Sequence, residues 1–150
     1  MIRLARAEDV TIVTSLVHEA YAIYVARNGK LPGPMQDDYN YAALIEQNLV
    51  HVLQDDPGQI RGLIVLIPEA HAMMLNNVAV SPRAQHRGIG RQLIAFAEQS
   101  ARAAGFSAIR LYTQDIMVEN IALYSRLGFT ETHRTEEKGL TRVYMSKALG

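Results

Sequence analysis

The chain has 150 residues with 15 basic and 15 acidic side chains, a formal net charge of zero at neutral pH, and no cysteine. That length fits one domain over residues 1–150 with a core of ordinary size. The balanced charge removes the bulk attraction on which nucleic-acid and membrane-surface binders depend, and the lack of thiols removes disulfides, thiolate metal sites and a cysteine nucleophile.

Residues 2–6 alternate and predict a first strand. Their apolar run is too short for a signal peptide, and no stretch approaches the roughly 20 apolar residues of a membrane span, so a cytoplasmic location is expected. Glu8 and Asp9 sit at a helix start, and Ile12, Leu16, Ala20, Ile23 and Tyr24 supply an apolar stripe to about Arg27. Asn28-Gly29-Lys30-Leu31-Pro32-Gly33-Pro34 ends that helix. A second, shorter helix is expected from Asp38 to about Asn48, with Asp37-Asp38 suited to its N-cap. Strands follow at 50–53 and 60–67 around the turn Asp55-Asp56-Pro57-Gly58, then at 73–80. Leu93, Ile94, Ala97 and Ala101 give a third helix its buried stripe, closed by Gly105. A strand over 109–112, a helix over roughly 118–127 and a hairpin of 129–133 with 142–146 complete the order β-α-α-β-β-β-α-β-α-β-β.

The segment from Val78 to Arg91 runs from an apolar strand through a glycine-bearing loop directly into the third helix. Gly88 and Gly90 are expected to take positive φ and to admit a ligand where a Cβ would block it. The free N–H groups and positive dipole end of the helix face the same point, which predicts a phosphate or diphosphate site. A P-loop requires Gly-Lys-Ser/Thr, whereas Gly90 is followed by Arg91-Gln92. A dinucleotide fingerprint requires a third glycine and an acidic residue about 20 residues on, and the next strand instead ends near Tyr112.

Gln-x-x-Gly-x-Gly over Gln85–Gly90, after Val-Ala-Val, closely resembles the acetyl-coenzyme A loop of the GNAT N-acetyltransferase superfamily. The segment Glu119–Phe129, with Leu-Tyr-x-x-x-Gly-Phe at its end, resembles a later motif of the same family. Together the two cover the element order of nearly the whole chain. The resemblance implies an α/β (α+β) fold with a mixed, mostly antiparallel sheet of about seven strands flanked by about four helices. In it, the strands 73–80 and 108–113 splay to hold the pantetheine arm. It implies acetyl-CoA as co-substrate and no metal. Backbone contacts to the pantetheine are expected at Val78 and Val80, and diphosphate contacts from His86, Arg87, Gly88, Ile89, Gly90 and Arg91. Gln85 holds the loop or a phosphate oxygen, and Arg83 or Arg87 reaches the remaining phosphate.

Moving an acetyl group from a thioester to an amine requires a neutral amine, a stabilised oxyanion and a proton for the departing thiolate. Tyr124, placed by the resemblance, is the expected general acid, because a phenol of pKa about 10 can share its proton with a thiolate whose acid lies near 8.5. Direct transfer is expected, with no cysteine for an acyl-enzyme. Where some family members carry a glutamate, this chain has Met74, with Asn76 as its same-face neighbour; where others carry one, it has Tyr112, which relays a proton, holds a water or packs. The family's asparagine seven residues before the tyrosine is Met117 here, and Asn120, on the helical face of Tyr124, is assigned its coenzyme contact. Acceptor recognition is expected at Tyr24, Met35, Asp38, Tyr39 and Asn76, acids among aromatics suiting a small cation. The implied activity is acetylation of a primary amine of a small molecule or peptide. The alternatives are a protein N-terminal (ribosomal-protein-type) acetyltransferase and a non-catalytic acyl-CoA-binding or sensing module. Exposed strand edges in the terminal hairpin suit a homodimer.

Overall fold

The structure, a computed structural model, describes residues 1–28, 40–55, 58–137 and 139–150. Its elements are β1 (Ile2–Leu4), a 3-10 turn (Ala7–Asp9), α1 (Val10–Asn28), α2 (Tyr41–Glu46), β2 (Val50–Gln54), β3 (Ile60–Pro68), β4 (Met73–Val80), a second 3-10 turn (Pro82–Ala84), α3 (Ile89–Ala103), β5 (Ala108–Gln114), α4 (Val118–Arg126), β6 (Thr130–Glu137) and β7 (Leu140–Ala148). The seven strands form one sheet in the order β1-β2-β3-β4-β5-β7-β6. The expected order of elements and the mixed, mostly antiparallel sheet are both found. By compactness the chain divides into Met1–Leu66 with Asn77–Ala97, and Ile67–Asn76 with Glu98–Gly150.

In the first unit, β1 pairs antiparallel with β2, and β2 with β3. Gly62 to Leu66 of β3 are buried without alternation, the pattern of a strand covered on both faces. Val13 and Val17 of α1, Val50 and Val52 of β2, and Leu93, Ile94 and Ala97 of α3 complete this core. The stripe expected on α3 is the one buried. The stripe expected on α1 is corrected: Ile12 and Ile23 are 51% and 53% exposed, while Val13, Leu16, Val17, Tyr21 and Tyr24 turn inward. Apolar residues surround most of this helix, so spacing alone does not select a face.

The second helix is shorter than expected. Asn40 caps it, its side chain accepting from Ala43 N–H at 3.1 Å, and Asn48 at φ 61° lies just beyond its end. The residues 37–39 assigned to its start lie outside the described residues.

In the second unit, β4 pairs in parallel with β5 over Met73–Leu75 against Ile109–Leu111. β7 pairs antiparallel with both β5 and β6, with a bulge at Thr132 of β6. The terminal hairpin runs longer than expected at both strands, and every residue of β6 is exposed. Lys147, opposite Ile109, reaches Glu98 of α3 at 3.0 Å and the Leu127 carbonyl at the end of α4 at 2.7 Å. Thr113, on the same face of β5 as Ile109, meets Met117 before α4. Both helical segments of this unit therefore contact the face that carries Ile109, Leu111 and Thr113.

Candidate functional site

In the first unit, β4 ends at Val80 and the chain turns through Ser81, whose N–H donates to the Arg61 carbonyl at 2.8 Å. Pro82 opens the short 3-10 turn, and Gln85, His86, Arg87 and Gly88 follow with their surfaces exposed. His86 has φ 67° and Gly88 φ 77°. Left-handed backbone on either side of Arg87 curls the loop and turns its amides, the arrangement that makes anion-binding concavities. A Cβ added at Gly88 would meet no atom of the described residues within 4 Å.

The first bond inside α3 runs from Gln92 N–H to the Gly88 carbonyl at 3.0 Å. The amides of Ile89, Gly90 and Arg91 precede it, in the orphan positions of a helix start. Gly90 is thus a first-turn helical residue, correcting the expectation of a second positive-φ glycine; His86 takes that conformation instead. Histidine tolerates it better than most residues, but nothing in the loop's spacing marks it.

Two residues the sequence reading passed over shape this region. Gly62 of β3 lies under the start of α3: a Cβ there would meet Ile89 Cγ2 and Leu93 Cδ1 at 3.0 Å and the Ala79 carbonyl oxygen at 3.1 Å. Asn77, 3% exposed, accepts from the Tyr21 hydroxyl at 2.6 Å and donates from Nδ2 to the Tyr41 hydroxyl at 3.1 Å. The Tyr21 hydroxyl also lies 3.0 Å from the Val78 carbonyl, so that strand group is already engaged. Val78 and Val80 are half-buried. Asp55 binds Arg61 at 2.7 Å, and that bond holds its carboxyl below the usual range, with Arg87 adding weakly. Tyr24 is buried beside the Tyr21 ring at 5.8 Å, with the Arg27 guanidinium 5.3 Å from its own ring. Met35, Asp38 and Tyr39 lie outside the described residues.

In the second unit, Tyr124 is 4% exposed in α4. Gly128 at φ 97° turns the chain so that Phe129 N–H bonds the Tyr124 carbonyl at 3.0 Å and the two rings meet edge-on at 5.8 Å. The spacing of the Leu-Tyr-x-x-x-Gly-Phe motif is that helix end read in sequence. Asn120 Nδ2 lies 3.7 Å from Met117 Sδ, and Thr113 Oγ1 lies 3.4 Å from the same sulfur. Tyr112 points to the opposite face of β5, its ring 5.6 Å from Tyr144 and 4.3 Å from the Arg142 guanidinium. His133 stacks on the other side of this cluster, 4.3 Å from the Tyr144 ring. Hydrogen bonds from Thr135 and Arg142 draw the Tyr144 hydroxyl below the ordinary phenol range. Asn76, beside buried Met74 and Leu75, has a buried Oδ1 with no hydrogen-bond partner among the described residues.

The fold is α/β, with a strand feeding a left-handed loop into a helix start, a geometry that suits an anion. The family is specific: a model of the acetyltransferase (GNAT) domain matches residues 46–131, and the chain belongs to that family. An IAA acetyltransferase of Azospirillum brasilense is 37% identical over 70 residues, and the match spans 47% of this chain and 46% of that relative. The chain thus spans about half the length of the curated relative it matches. Two solved structures share the fold. The PaiA N-acetyltransferase of Thermoplasma acidophilum, in complex with coenzyme A, is 20% identical with a TM-score of 0.83, covering 99% of this chain and 98% of its own. The putative acetyltransferase yncA of Salmonella typhimurium, with its cofactor acetyl-CoA, is 23% identical with a TM-score of 0.77, covering 100% and 94%.

Proposed function

We propose that the protein moves the acetyl group of acetyl-CoA directly to a primary amine of a small molecule or peptide. The observation that carries this reading is the 85–91 loop, where left-handed His86 and Gly88 lead into the free amides of Ile89, Gly90 and Arg91. Those amides suit a diphosphate, Gln85 and the exposed Arg83 or Arg87 suit further phosphate oxygens, and the main chain at Val78 and Val80 suits the amide-rich pantetheine. Since Tyr21 already engages the Val78 carbonyl, the reading leans on the remaining strand groups.

The amine nitrogen attacks the thioester carbonyl carbon, the new N–C bond forms, and the C–S bond breaks. The Tyr124 hydroxyl gives its proton to the thiolate, and the proton lost by the amine returns the tyrosine to its neutral form. Asn120 is read as a coenzyme contact and Tyr112 as a proton relay. Tyr24, Met35, Asp38, Tyr39 and Asn76 are read as the acceptor side. A second reading, an acyl-CoA-binding module without turnover, is favoured by one feature: Met74 is buried where a carboxylate base would stand.

Calorimetry with acetyl-CoA, followed by thiol release across a panel of primary amines, tests this. The expected result is measurable affinity and turnover with at least one amine, with Tyr124→Phe keeping the affinity and losing about a hundredfold or more in turnover. No affinity for acetyl-CoA overturns the reading, and affinity without turnover on any amine moves the protein to the binding class.

A further inference from the structure

Gln114 is the last residue of β5 and is 7% exposed. Its Oε1 is buried with no hydrogen-bond partner among the described residues. Natural interiors seldom leave such an atom unpaired, because the water bonds lost on folding are not replaced. Gln114 is also held firmly: its own carbonyl accepts from Met117 N–H at 2.9 Å in the turn that enters α4. The cation directly across the ladder, Arg142, is committed elsewhere, to Glu137 at 2.9 Å and to the Tyr112 ring at 4.3 Å.

Alternation along β5 puts Gln114 on the face of Arg110 and Tyr112, away from Thr113 and α4. Met74 pairs with Arg110, so Asn76, two residues on, projects to that same face. One face of this unit thus carries two buried carboxamide oxygens, Asn76 Oδ1 and Gln114 Oε1, each lacking a donor among the described residues. Tyr112 and Tyr144 lie on this face too, their rings 5.6 Å apart.

We infer that Gln114 is a specificity-determining residue for the acceptor, its Oε1 taking an N–H of a primary amine alongside Asn76. This rests on the acetyltransferase reading. A primary amine has two N–H donors and one lone pair, so two neutral acceptors can hold it while the lone pair stays free to attack. Amide oxygens also lack the full charge that would favour the unreactive ammonium form. That chemistry suits a chain with methionine at position 74.

The test uses the full chain, acetyl-CoA and matched pairs of primary amines and their N-methyl derivatives. Gln114→Leu removes the acceptor, and Gln114→Glu retains an oxygen at the same place. For Gln114→Leu the expected results are an acceptor KM raised about tenfold, an unchanged KM for acetyl-CoA, a reduced preference for primary over N-methyl amines, and an unchanged or higher melting temperature. Gln114→Glu is expected to retain the preference for primary amines. An acceptor KM unmoved in both variants overturns the inference, as does a lower melting temperature for Gln114→Leu, which would mean that Oε1 has an internal partner. Acetyl-CoA affinity without turnover on any amine also overturns it while leaving the coenzyme loop standing; loss of that affinity in the wild type removes the reading beneath it.

Discussion

At Gly88 the backbone sits at φ 77° and no atom of the described residues lies within 4 Å of where a Cβ would be, so conformation and not crowding is what demands glycine. Gly88→Val is therefore expected to destabilise the loop by roughly 1–2 kcal/mol and to lower acetyl-CoA affinity at least tenfold, read by thermal denaturation and calorimetry. Gly90, in the first turn of α3, should behave in the opposite sense: Gly90→Ala keeps or raises the melting temperature, because alanine is the better helix former by about 1 kcal/mol. Equal losses in the two variants would contradict this assignment. The loop was legible because glycines ahead of a helix start are a local signal. The roles within it were not, since only the folded backbone shows that His86 and not Gly90 shares the left-handed conformation with Gly88.

Between elements, Gly62 governs how closely α3 approaches β3 and β4. A methyl at this position would press on Ile89 and Leu93 at 3.0 Å and on the Ala79 carbonyl at 3.1 Å, and the strand oxygen has little freedom to yield. Gly62→Ala should cost about 1–3 kcal/mol and shift the first turn of α3, so the urea midpoint and acetyl-CoA affinity fall together. A midpoint that drops with affinity intact would detach Gly62 from the loop. No residue near position 62 announces this in sequence, because the contact joins side chains 27 and 31 residues further along. Helix α3 was readable for the opposite reason: its polar residues alternate cleanly with Leu93, Ile94, Ala97 and Ala101, which are all but fully buried. In α1 the apolar residues exceed one stripe, so packing against the sheet decided that Val13 and Val17 turn inward and Ile12 does not.

For the molecule as a whole, two ionisable groups should weaken the fold as pH falls. Burial depresses His51, whose ring lies 4.7 Å from Phe96 and whose Nδ1 has no partner among the described residues. The unfolded chain therefore takes up a proton first, below about pH 6.5, and stability is lost from there down toward the folded value. Asp9, bonded to Arg3 at 2.9 Å, is held low chiefly by that hydrogen bond, so its contribution is present above about pH 3.9 and disappears as pH falls through its folded value. Denaturant midpoints across pH should thus decline in two stages, and His51→Gln should remove the upper one; a profile unchanged by that substitution would refute the assignment. The order of the elements, the glycine-bearing loop ahead of α3 and the Leu-Tyr-x-x-x-Gly-Phe helix end were determined by the sequence alone, since each is a short-range pattern repeated over a few residues. The pairing of Asn77 with Tyr21 across 56 residues, the inward face of α1 and the Gln114 oxygen, unpartnered among the described residues, were decided only by tertiary structure. The physical reason is that a side chain's hydrogen-bond partners and burial depend on which distant segments pack around it, and local periodicity carries no record of them.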